Sequence, residues 1–96
     1  MISLEDSIRS KVDYRIVEVS KSSPSTDVKA IVLTNVPPSE EIVKDVSSSV
    51  KVNKVYNFMS VIKVEGKAKD VASLAQKEYV KYIMLEEIVI SSLAEY

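Results

Sequence analysis

The stretch that decides the fold is VKVNKVYNFMSVIKVEG, residues 50–66. It is too long for one ordinary strand. Its middle, Asn57 to Ser60, separates two runs rich in β-branched residues, so it reads as two antiparallel strands joined by a tight turn. Gly66, the only glycine of the chain, closes the second strand.

On either side the pattern repeats. Upstream, VKAIVLTN (28–35) is short, β-branched and bounded by Asp27 and by Pro37 and Pro38, as a buried strand should be. It leads into PPSEEIVKDVSSSV, where Glu40 and Glu41 precede Ile42, Val43, Val46 and Val50. Acids in a first turn favour the helix dipole, which predicts a helix from about Pro38 to Ser48. Downstream, KAKDVASLAQKEY (67–79) sets Ala68, Val71, Leu74 and Ala75 on one stripe, predicting a second helix, and VKYIMLEEIVI (80–90) reads as a last strand. The order β-α-β-β-α-β closes as two split βαβ units. The predicted fold is therefore an α+β ferredoxin-like plait, an antiparallel four-stranded sheet with two helices on one face.

The N-terminal part is read separately. Leu4, Ile8 and Val12 recur every four residues and predict a short helix over 3–12; YRIVEV (14–19) reads as extended, and SKSSPSTD (20–27) as a polar linker. The expected division is residues 1–27 as helix and linker, 28–86 as the plait, and 87–96 as a C-terminal tail.

With 96 residues, 46% of them hydrophobic, the chain can build one core. It has no Cys and no His, so thiol and imidazole nucleophiles, a Ser-His-Asp triad and an ordinary zinc site are excluded. We expect no enzyme, no metal and no cofactor. A net charge of -1 lacks the basic footprint of a nucleic-acid binder. No apolar run is long enough to span a bilayer, so no membrane partner is expected. Tyr56, Phe58 and Tyr82 then read as core or sheet-face packing in preference to base-stacking platforms. Ile31, Leu33, Val61, Ile83 and Leu85 interrupt the polarity expected of an open sheet face and mark it as a candidate partner surface.

From KAIVLT, the VNKVYNFMSVIKVEG hairpin, the run AKDVASLAQKEYVKYIMLEE and the ending LAEY, the chain resembles the propeptide and inhibitor family of subtilisin-like serine proteases over about 28–96. The resemblance implies a domain, monomeric when free, whose open sheet packs on two helices of the protease while its tail lies product-like in the substrate cleft. By position it assigns the cleft to Leu93, Ala94, Glu95 and Tyr96, with Tyr96 in the primary specificity pocket. It makes Glu86 and Glu87 acids that cap the partner's helices. Met84 and Leu85 stand where that family often has acids, and EIVISSLAEY is longer than its usual tail. A free-standing inhibitor and an excised prosegment that also templates folding share this arrangement. The rival expectation is a small-molecule-sensing or homo-oligomeric ferredoxin-like module; against ligand sensing, the turn TNVPPSEE has no glycine to admit a ligand to the backbone.

Overall fold

The computed structural model describes residues 10–89. Its elements are α1 (Tyr14–Ser22), β1 (Asp27–Thr34), α2 (Glu40–Ser47), β2 (Lys51–Tyr56), β3 (Val61–Lys67), α3 (Ala68–Ser73) and β4 (Val80–Ile88). Single 3₁₀ turns follow β2 at Asn57–Met59 and α3 at Leu74–Gln76.

The strands form one antiparallel sheet in the order β2-β3-β1-β4. Each βαβ unit leaves a gap, and a strand of the other unit fills it. The result is the ferredoxin-like plait. Burial along β1 alternates strictly: Val28, Ala30 and Val32 are fully buried, as are Ile62 and Val64 beside them on β3. These join Ile16 of α1, Val46 of α2, and Val71 and Leu74 of the α3 segment in one cluster, so the helices share one face of the sheet. Ala68, Ala72 and Ala75 keep the α3 segment close to the strands. Ser39 caps α2 by accepting the Ile42 N–H at 3.3 Å.

The N-terminal region differs from the sequence reading. YRIVEV is helical, and the serines assigned to a linker extend that helix to Ser22. Asp13 caps α1 by accepting the Arg15 N–H at 3.0 Å, and Val12, Ile16 and Val17 enter the common core. Val12 is not helical: it bridges Ile83 of β4, and a helix starts afresh at Tyr14, where burial of Ile16 and Val17 against α3 outweighs the strand preference of β-branched residues. The compact unit consequently begins before Val28. Residues 1–9, which carry Leu4 and Ile8, lie outside the described residues.

Gly66 has a packing role. It pairs with Val28 on the helix side of the sheet, and a Cβ there would stand 2.9 Å from Val50 Cγ1 and 3.1 Å from Val50 Cβ. Valine is stiff at χ1, so the collision cannot be relieved by a simple swing. Gly66→Ala should lower stability by about 1–3 kcal/mol in chemical denaturation. Val50→Ala should be less harmful in the Gly66→Ala background than in the parent, and strictly additive effects would disprove the steric account.

Candidate functional site

The helices leave the opposite face of the sheet uncovered. Pairing fixes which side chains stand on it: Lys29, Ile31 and Leu33 of β1; Val61, Lys63 and Glu65 of β3; Tyr82 and Met84 of β4; and Lys54 and Tyr56 of β2. Leu33 pairs with both Val61 and Tyr82, and Val61 with Tyr56, giving an apolar row across all four strands at the end where β1 finishes. Val61 is only 8% exposed yet lies outside the core cluster, because its neighbours on this face cover it. The other end of the face is charged.

Of the expected surface residues, Ile31, Leu33 and Val61 stand on the open face. Ile83 and Leu85 do not: Ile83 is fully buried among the helices, and Leu85 packs against the same core. Tyr82 and Met84 take the open positions instead. The cause is a break in alternation. The register between β1 and β4 shifts between Leu33 and Thr34 and again between Lys29 and Ala30, so Val80 and Ile83, an odd number apart, both face the helices.

The second shift explains Glu86 and Glu87. Successive residues of a regular strand point to opposite faces. Here Leu85 pairs with Ala30 and Glu87 with Lys29, leaving Glu86 in the bulge. Both carboxylates then reach lysines of the open face. Glu86 meets Lys63 at 3.2 Å, across the line of β1, and Glu87 meets Lys29 at 3.8 Å. The two acids are thus brought together on one side of the sheet, but each already has a lysine partner. β4 continues to Ile88, and the Val89 N–H donates to the Asp27 carbonyl at 2.9 Å, so Glu87 and Ile88, assigned to the tail by the expected division, belong to the strand expected over 80–90. Leu93, Ala94, Glu95 and Tyr96 lie outside the described residues.

Asp13 holds the strand that carries these acids. Its backbone N–H donates to the Ile83 carbonyl at 2.7 Å, and its carboxylate accepts the Leu85 N–H at 3.1 Å and the Arg15 guanidinium at 2.7 Å. The Arg15 hydrogen bond, with help from the Arg15 and Leu85 backbone N–H groups and against partial burial, holds this carboxyl well below the usual range. On the helix side, Asp45 joins α2 to the loop before β4: it accepts the Tyr79 hydroxyl at 2.7 Å and meets Lys77 at 3.2 Å. Tyr79 lowers the Asp45 pKa first and Lys77 second, while burial and then Asp45 raise that of the phenol.

Among the described residues there is no group of acids that could hold a metal ion, and no helix is long and apolar enough to cross a membrane. An open groove of about 580 Å³ runs between α2 and β2 past Pro38, Val43 and Val55. Ser39, Glu40, Glu41, Lys44, Ser47 and Asn57 complete its lining. Phe58 is the residue that the sequence reading misplaced most: it packs on neither face and stands fully exposed at the β2–β3 turn. Comparison with protein-family models, with curated proteins and with solved structures found no match to this chain.

The Asp13 clamp makes a pH prediction. An unfolded aspartate has a pKa of about 3.9, and the folded value lies below it, so the stability this group contributes is present above about pH 4 and is lost as pH falls toward the folded value. Asp13→Asn keeps a capping oxygen and removes the charge. Between about pH 5 and pH 2 the thermal midpoint of the parent should fall more steeply than that of the variant. Parallel curves would dismiss the clamp as an electrostatic element.

Proposed function

We propose that the chain is a docking module of the inhibitor or prosegment type for a subtilisin-like serine protease. The observation that carries this reading is the one-sided plait: every described helix lies on one face, and the other presents an apolar row from Tyr56 to Tyr82 with Ile31 and Met84 beside it. A sheet whose apolar row is uncovered by helices, with Leu33, Tyr56 and Tyr82 half-buried around Val61 and Met84 exposed, fits a protein surface better than it fits bulk water. The sequence resemblance supplies the class of partner.

In this reading the sheet face sits on two surface helices of the protease. Glu86 and Glu87 exchange Lys63 and Lys29 for the positive ends of those helices, where unpaired N–H groups and the helix dipole favour carboxylates. Beyond Val89 the chain enters the substrate cleft. Leu93 and Tyr96 occupy apolar pockets, with Ala94 and Glu95 between them. A tail that lies in the cleft as a bound product competes with substrate and leaves no lasting acyl link.

The test is titration of a subtilisin-like serine protease with the full chain in a substrate-competition assay. The parent should inhibit competitively. Tyr96→Gly should raise the inhibition constant by roughly 30-fold, equivalent to about 2 kcal/mol of lost pocket filling. Ile31→Asp should weaken binding by placing an unpaired charge under the partner, with circular dichroism confirming that both variants remain folded. No inhibition by the parent chain would reject the reading.

A further inference from the structure

The turn between β2 and β3 combines two features that a simple connection does not need. It is apolar and exposed, with Phe58 at 105% and Met59 at 67% exposure, where turns ordinarily carry Gly, Asn, Asp or Ser. It is also firmly held. The 3₁₀ turn closes at Ser60 in the left-handed region, φ 54° and ψ 49°, a conformation disfavoured for any residue with a side chain. Thr34 fixes it from β1: its N–H donates to the Ser60 carbonyl at 2.9 Å, and its hydroxyl lies 2.6 Å from the Val36 carbonyl and 3.1 Å from that of Ser60. Backbone strain retained under such restraint gathers at ligand clamps and recognition sites.

We infer that Phe58 and Met59 are a second anchor for the protease, entering an apolar depression on its surface away from the substrate cleft; this rests on the docking reading above. The turn adjoins the proposed interface, because Tyr56 and Val61, which flank it, belong to the apolar row of the open face. No charged residue occurs from Val55 to Ile62. The nearest lysines are engaged on the sheet, Lys63 with Glu86 at 3.2 Å and Lys54 over the Tyr56 ring at 5.3 Å. The tip itself is therefore the uncharged surface that a desolvated protein pocket calls for, where a membrane surface would call for basic residues at the tip. Holding the turn in one conformation before contact lowers the ordering cost of burying the ring, and a thioether beside it adapts to an irregular pocket.

Geometry separates this anchor from the tail. The turn opens β3 at Val61, while Val89 is fixed to Asp27, which pairs with Lys67 at the far end of β3. At about 3.3 Å per residue the two points are roughly 20 Å apart. Tail and turn therefore fill different pockets, and their contributions should be independent.

The experiment compares the full chain with Phe58→Ser, Met59→Ser, Phe58→Leu and Tyr96→Gly, measuring thermal midpoints and inhibition constants against the same protease. Phe58→Ser should raise the inhibition constant by at least about tenfold and Phe58→Leu by less. Because the ring is fully exposed, the midpoint should not move. Combined with Tyr96→Gly, the fold-changes should multiply. Inhibition by the parent with unchanged constants for Phe58→Ser and Met59→Ser would overturn the second anchor and leave the docking reading standing. A lowered midpoint for Phe58→Ser would also overturn it, by making the ring a stabiliser of the fold. No inhibition by the parent would remove both.

Discussion

The architecture depends on β1 being shared. It fills the gap of the β3-α3-β4 unit, pairing with β3 on one side and β4 on the other. Its alternation sets the boundary between dry and wet faces for the whole sheet. A slip of one residue would drive Lys29 and Ile31 among the helices and expose Val28, Ala30 and Val32, reversing the character of both surfaces together. At one end this register places Gly66 opposite Val28 and under Val50; at the other it places Thr34 against the Ser60 carbonyl.

The open face is divided by that same strand. Toward the end of β1 it is apolar. Toward its start, Lys29 and Lys63 hold Glu87 and Glu86 in a small ionic lattice that a docking protein would have to rearrange. Exposed pairs of this kind contribute little to stability, about 0–1 kcal/mol each, so exchanging them for other partners costs the fold little. In the proposed function the apolar row supplies contact area and the lattice supplies orientation.

What the sequence made legible follows from how local each cause is. β1, the hairpin and α2 announce themselves in short windows, through β-branched runs, interrupting polar residues and an acidic first turn. The α3 stripe was legible too, although its last turn tightens to 3₁₀. YRIVEV was not. Its β-branched residues match a strand as well as a helix, and only contact with α3 decides between them. The misplacement of Ile83 and Leu85 has a different origin. In VKYIMLEEI apolar residues occupy both parities, so the pattern holds no vote on which faces inward. Two register shifts against β1 cast it, and such shifts depend on the neighbouring strand. The same bulge brings Glu86 and Glu87 to one face, which adjacent residues of a regular strand would not share.

The contact of Val12 and Asp13 with Ile83 and Leu85 has a consequence for how copies of this protein behave in a crowded solution. A sheet's outer strands offer unsatisfied backbone groups to any passing chain, and an uncovered pair of them invites stacking into fibrils. Here the β4 side is plugged in the middle by a backbone bridge and a carboxylate. The β2 side has no strand beside it among the described residues, but it carries Lys51 and Lys54 and a register irregularity at Asn53, features that frustrate edge-to-edge growth. The molecule can therefore keep one broad face bare for a partner without its rims becoming templates for its own aggregation.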